Sequence, residues 1–285
     1  MIVWRDGEMV TAEAAVSAED RGYLIGDAVF ETMLVEGGQA AFLRPHLARL
    51  TLGCATLRMK FAPDEARIRQ AILELAEYAL LKTRAACRIT VSRHGGPRGV
   101  APGEGARVRM IIALTAAAPR SAPLSLIVSA HKRSAAASTN GFKCAGAYAQ
   151  NMLARMEAIE AGADEAIMLN EHGRVACASS ANVFVLTDRG IATPPPREGA
   201  MPGVVREIVL EETHKLGLAA EELEIEPAAL ASARLLLTNS IIGVAVGAVG
   251  DNKTRDRDAV AHAIINAYER RLAAALRSRL EGAPS

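Results

Sequence analysis

Two short apolar runs, Ile2 to Trp4 and Met9 to Thr11, flank Asp6-Gly7 and predict a hairpin. Val29 to Val35 and Gln39 to Leu43 flank Glu36-Gly37-Gly38 and predict a second. Pro45 opens a helix, with Leu47, Leu50, Cys54 and Leu57 at helical spacing. Asp64 caps another that runs to Leu81. Cys87 to Val91 and Val108 to Leu114 are predicted strands, joined by the Gly-rich segment His94 to Gly105. Residues 116–123 (AAAPRSAP) carry no periodic pattern, which predicts a linker between a domain at 1–115 and one at 124–285. Beyond it, strands are expected at Leu124–Ser129, Glu165–Leu169, Asn182–Leu186 and Leu235–Leu237. A helix from Cys144 to Ala161 sets Tyr148, Met152, Met156 and Ile159 in one stripe. Pro194 to Pro196 marks a rigid loop, Val204 to Lys215 a helix, and Asp258 to Leu280 a long final helix. Strands grouped together with helices interspersed predict an α+β architecture.

Composition narrows the function. The 285 residues are 50% hydrophobic and 23% charged, an ordinary globular balance. Aromatic residues make up only 4%, so the core must rest on Ala, Leu, Val and Ile. A net charge of +1 without a basic block argues against a nucleic-acid partner. Cys54, Cys87, Cys144 and Cys177 are scattered without CxxC spacing, so reduced thiols in the cytoplasm are expected and no metal site is. No signal peptide is visible at the start. The longest apolar run, Leu235 to Val249, holds Thr238, Asn239 and Ser240 and is too short to span a membrane.

The chemistry concentrates between Lys143 and Phe184. Lysine is scarce, at six positions, and Lys143 stands ahead of an apolar helix. A buried lysine can lose its charge and act as a nucleophile, although a lysine at a helix start is more often solvated. Four other segments stand out. They are Arg21-Gly22-Tyr23-Leu24-Ile25-Gly26-Asp27 running into Phe30-Glu31-Thr32, His46-Leu47-Ala48-Arg49-Leu50, Pro202-Gly203-Val204-Val205-Arg206, and Leu237-Thr238-Asn239-Ser240. Each has a bland reading alone, as a turn, a solvent-facing arginine, a helix start or a strand end.

As an ordered set they resemble the class IV aminotransferases, pyridoxal-phosphate enzymes of fold type IV that include branched-chain and D-amino-acid transaminases and aminodeoxychorismate lyase. The resemblance implies a small N-terminal α/β domain, a larger β-barrel-like C-terminal domain, cofactor in the cleft between them, and a homodimer. It implies that Lys143 holds pyridoxal 5'-phosphate and moves the substrate proton, and that Tyr148 bonds the cofactor's phenolic oxygen. Arg49 inherits a phosphate contact, which suits a guanidinium. The helix start at Gly203, Val204 and Val205, and the loop Thr238, Asn239 and Ser240, supply further phosphate donors. For an amino-acid-like substrate, Phe30, Arg93, His94 and Arg98 are the candidates.

One position departs from the pattern. Relatives place a glutamate against the pyridine nitrogen, and here Cys177 stands there without a gap between Lys143 and Asn182. A thiol, with a reference pKa of about 8.5, is a weak partner for a protonated ring. Glu165, Glu171 or Glu198 could substitute for it. The departure leans toward a lyase that releases pyruvate from 4-amino-4-deoxychorismate to give 4-aminobenzoate. A transaminase of D- or branched-chain amino acids, or a cofactor-binding protein with little turnover, remain as alternatives.

Overall fold

Asp6 and Gly7 both adopt positive φ, 53° and 119°, and turn β1 (Ile2–Arg5) into β2 (Glu8–Thr11). That backbone matches the twist of a tight hairpin. The chain is described by a computed structural model over residues 1–81, 83–96, 99–119, 123–250 and 259–277. Next comes a short helix that the sequence did not announce, α1 (Arg21–Ile25). The Asp20 carboxylate accepts the Gly22 and Tyr23 amides at its start, and Gly26 ends it in the left-handed region.

β3 (Ala28–Glu36) and β4 (Gln39–Ala40) pair across Gly37-Gly38. α2 (Leu43–Thr56) begins two residues before Pro45, whose missing N–H costs nothing in a first turn. α3 (Glu65–Tyr78) starts where Asp64 accepts the Arg67 amide at 3.0 Å. β5 (Arg84–His94) and β6 (Arg107–Ala116) complete an antiparallel sheet in the order β2-β1-β6-β5-β3-β4. Alternation decides its faces. Val29, Met33, Cys87, Ile89 and Ile112 pack on Leu47, Leu50, Ile68, Ile72 and Leu75 of the helices. Each such side chain contributes about 1.5–3 kcal/mol by leaving water.

The second sheet is built from β7 (Leu124–Val128), β8 (Glu165–Leu169), β9 (Val175–Ala178), β10 (Asn182–Thr187), β11 (Gly190–Thr193), β12 (Ala219–Glu222), β13 (Leu235–Asn239) and β14 (Gly243–Val249). Its order is β12-β11-β10-β13-β14-β7-β8-β9. α4 (Ala149–Glu160) crosses between parallel β7 and β8, and α5 (Val204–Lys215) between parallel β11 and β12. β9 lies at one end of this order and β10 near the other, yet only residues 179–181 join them. A connection that short forces the sheet to curl. α6 (Ala259–Arg277) follows β14. No helix among the described residues is long and apolar enough to cross a membrane.

Contacts divide the chain into two compact units. The first takes Met1–Pro119, Phe142–Ala147 and the chain from Leu272, and the second takes Tyr148–Arg271 with the segment ending at Gly141. A single cut at 116–123 therefore does not describe them, because Lys143 belongs with the first unit. The helix expected from Cys144 starts later. Cys144 makes a bridge to Val29, Ala145–Ala147 form one 3-10 turn, and the α-helix begins at Ala149. Gly146 passes so close to Gly26 that a Cβ on Gly26 would lie 2.5 Å from its Cα, which leaves no room for helical side chains there. On α4 the buried face is Asn151, Ala154 and Ala158, while Met152, Met156 and Ile159 are exposed.

Candidate functional site

In the second unit, two side-chain amides draw three distant segments together. Asn182, the first residue of β10, donates to the Met201 carbonyl at 2.8 Å. Asn239, the last residue of β13, donates to the Ser180 carbonyl at 3.1 Å and accepts the Ile241 and Ile242 amides. The turn after Cys177, the helix start at Gly203 and the loop at Thr238-Asn239-Ser240 thus meet at one end of the sheet. Gly203 begins α5, and no side chain caps it. The first amides of a helix carry partial positive charge and need an acceptor. Thr238 is 1% exposed and its Oγ1 has no hydrogen-bond partner. A helix start without a capping side chain and a buried unpaired hydroxyl form a donor set suited to a phosphate. Val204 and Val205 are buried and contribute backbone only; Ser240 is half-buried.

Cys177 lies buried in β9, opposite Met168 of β8. The three carboxylates that could replace a glutamate there are committed elsewhere. Glu165 accepts both the Ser179 and Ser180 hydroxyls and the Ala166 amide. Glu198 pairs with Arg174 at 2.7 Å and accepts Asn170 at 2.6 Å, and the Arg174 bond holds its carboxyl below the usual range. Glu171 accepts the Ala135 amide at 2.7 Å, which lowers its pKa in the same way.

In the first unit, the Lys143 carbonyl accepts the Phe30 amide at 2.9 Å, so Lys143 extends alongside β3. Its Nζ stands 5.4 Å from the centre of the Phe30 ring. Arg88 of β5 covers the same ring at 3.7 Å and donates to Thr90 at 3.1 Å. Phe30, Thr90 and Arg88 share the sheet face that turns away from α2 and α3. Sequence reasoning passed over Arg88. Its signal was an arginine at an outward position of a strand whose other face is apolar. Tyr148 is the half-buried first cap of α4 in the second unit.

Arg49 sits on the opposite side of β3. Its Nε and Nη2 each reach Glu31 at 2.7 Å, and His46 Nδ1 meets the same carboxylate at 2.7 Å. Burial would raise the Glu31 pKa, but the bonds from Arg49 and His46 outweigh it and bring it down to about 2. Burial pushes the His46 ring below its ordinary value, and the charges of Arg49 and Lys143 add to that against the pull of Glu31. The triad too was missed, although a lone acid in the apolar run AVFETMLV pointed to it.

One expected carboxylate ligand is committed elsewhere. Arg93 is buried, donating to Asp27 at 3.3 Å and to the Leu57 carbonyl. It stitches the sheet to the end of α2, because an inward arginine in a strand must find internal acceptors. His94 bridges to Asp20, and burial followed by the Arg109 charge lowers its pKa. Arg98 lies outside the described residues.

Comparison with known proteins gives the family and the fold. The family model for class IV aminotransferases matches residues 28–247, and the chain belongs to that family. The aminodeoxychorismate lyase of Bacillus subtilis is 26% identical over 83% of this chain and 82% of its own length. The D-alanine aminotransferase of Bacillus licheniformis is 28% identical over 75% of each. The branched-chain amino acid aminotransferase of Thermobaculum terrenum, solved in its PLP form, superposes with a TM-score of 0.83 at 20% identity, covering 94% of this chain and 92% of that one. The last likeness speaks for the fold alone, which is the two-domain α+β fold type IV.

Proposed function

We propose that the chain binds pyridoxal 5'-phosphate and acts on a small amino-acid-like substrate as an aminodeoxychorismate lyase, releasing pyruvate from 4-amino-4-deoxychorismate to leave 4-aminobenzoate. The observation that carries the choice is Cys177. It is buried where the family pattern has a carboxylate, and Glu165, Glu171 and Glu198 are bound to other groups. The lyase relative covering four-fifths of the chain supports the same reading.

When bound, the cofactor supplies an electron sink for the carbon beside the substrate amine. Lys143 would carry it and move the proton at that carbon. The Val204 and Val205 amides, the Thr238 and Ser240 hydroxyls and the Asn239 turn would hold the phosphate, Arg49 would add positive charge, and Tyr148 would bond the phenolic oxygen. Arg88, held over Phe30, suits a substrate carboxylate through paired N–H donors, with His94 and Arg98 as the other candidates. A thiol at Cys177 would give the ring nitrogen no anionic partner and so would not favour its protonated form. Elimination driven by aromatisation tolerates that, whereas transamination needs the stronger sink.

The second reading, a transaminase of D- or branched-chain amino acids, draws on the D-alanine aminotransferase relative. Incubation with 4-amino-4-deoxychorismate, without any keto acid, should release pyruvate. Amino transfer from D-alanine or a branched-chain amino acid to a keto acid, with no pyruvate from 4-amino-4-deoxychorismate, would replace the first reading by the second.

A further inference from the structure

We propose that Asn182 is a positioning residue for the phosphate donors: it sets the aim of the first amides of α5, and affinity for the phosphate part of the cofactor depends on it. The inference rests on the reading that this chain binds pyridoxal 5'-phosphate.

Three observations meet at this side chain. Its Nδ2 donates to the Met201 carbonyl at 2.8 Å, which ties down the Met201-Pro202-Gly203 approach to the helix. Its Oδ1 fills the space beside Gly203, where a Cβ would stand only 2.1 Å away. The Gly203 backbone has φ −75° and ψ 137°, a conformation open to any residue. Glycine is therefore needed at 203 for room, and Asn182 takes that room. Finally, Asn182 is the cross-strand partner of Thr238, the residue with the buried unpaired hydroxyl. One amide thus touches the start of α5 and stands beside the donors of β13.

α5 has a second anchor behind it. The buried Arg206 guanidinium bonds the Pro194 carbonyl, Glu207 and Glu222. Loss of Asn182 therefore leaves the helix in place and loosens only its leading turn. Phosphate binding at a helix start depends on several N–H groups pointing at one centre, so a small change of aim weakens all of them together. The amide of Asn182 is already engaged with Met201, so its effect on the ligand runs through the backbone.

The test separates aim from general folding by comparing two ligands, pyridoxal 5'-phosphate and pyridoxal, titrated against the cofactor-free full chain by absorbance. Asn182→Ala should weaken the phosphorylated ligand by about tenfold or more while pyridoxal changes by less than about twofold, since the loss falls on hydrogen bonds to phosphate alone. Asn182→Asp removes the donor and sets a negative charge beside the helix start, so its loss should be larger. Gly203→Ala should mimic Asn182→Ala by pushing the amide aside. Joined to Asn182→Ala, which clears the room, it should cost nothing more. Equal losses for both ligands would mean a merely structural asparagine, and unchanged affinities would overturn the inference alone. A wild-type chain that binds neither ligand would overturn the functional reading and this inference with it.

Discussion

Replacing Arg49 by alanine removes two 2.7 Å bonds from a carboxylate with no exposure at all. His46 remains at 2.7 Å, but its ring is held toward the neutral form by burial. Removing one member of a buried ion pair costs about 3–5 kcal/mol, because the survivor stays desolvated. The loss should fall at the low end, since Glu31 can take up a proton once its pKa rises. About 3 kcal/mol corresponds to a fall of about 5 °C in the unfolding midpoint for a chain of this size. The pH dependence makes the test sharper. The folded pKa of Glu31 is depressed, so its stabilisation is present above the unfolded value near 4.5 and is lost as pH falls toward about 2. His46 is depressed as well. The unfolded imidazole binds a proton below about 6.5 that the folded ring resists, so stability also declines from there downward. The wild type should lose stability in both windows. In Arg49→Ala the folded Glu31 pKa rises, the lower window disappears, and the deficit against wild type shrinks as pH falls from about 4.5 toward about 2. Urea unfolding followed by circular dichroism across that range measures it. A deficit below about 1 kcal/mol, the scale of a surface pair, or one that stays constant with pH, would refute the dependence of Glu31 on Arg49.

The remaining expectations concern the proposed chemistry. Borohydride treatment of the cofactor-loaded protein should fix the cofactor to Lys143, and Lys143→Ala should abolish the labelled peptide; recovery of the label on another lysine would remove Lys143 from the role. Cys177→Glu should raise formation of the pyridoxamine form relative to pyruvate release, and an unchanged partition would show that the thiol does not tune the ring. The chain should be a homodimer, and an exposed apolar group in the first unit is the natural place to perturb. Tyr23, Ile25 and Val100 are 73%, 52% and 89% exposed, and Arg21 holds the Gly99 and Val100 carbonyls beside α1. Tyr23→Glu with Val100→Asp should shift sedimentation toward monomer; an unaltered dimer would move the interface elsewhere.

Most helices and hairpins were legible because their signals are local. Asp64 and the 3.6-residue apolar spacing gave α3, and the Val204–Lys215 helix follows from the same pattern after Pro202-Gly203. Strands β9, β11 and β12 were not legible. Val175–Ala178 is a small-residue run buried on both faces, so it shows no alternation. α1 escaped because its five residues expose Tyr23, Leu24 and Ile25, which breaks the amphipathic rule. For the site, motif spacing named residues 203–205 and 238–240, which the side-chain amides of Asn182 and Asn239 draw to one end of the sheet. It passed over the alternation of Cys87, Ile89 and Val91, which sets Arg93 on the inward face of β5 and Arg88 on the outward one. Nor could it foresee that Lys143 packs with the first unit, which follows from the close approach of Gly26 and Gly146.

The cysteine at 177 has a consequence for stability as well as for chemistry. All four residues of β9 are buried, and Cys177 is only 4% exposed. A glutamate at such a place is desolvated whenever the ring nitrogen is not there to share its charge, and burial then drives its pKa up. A thiol of similar burial is neutral and costs little in the cofactor-free protein. The neighbouring Glu165 illustrates what a buried acid in this region requires, with two hydroxyls and an amide turned toward it. The cofactor-free wild type should therefore be more stable than cofactor-free Cys177→Glu, and added pyridoxal 5'-phosphate should raise the melting point of the variant more than that of the wild type. If the two proteins gain equally from the cofactor, the carboxylate is not meeting the ring nitrogen, and position 177 lies away from it.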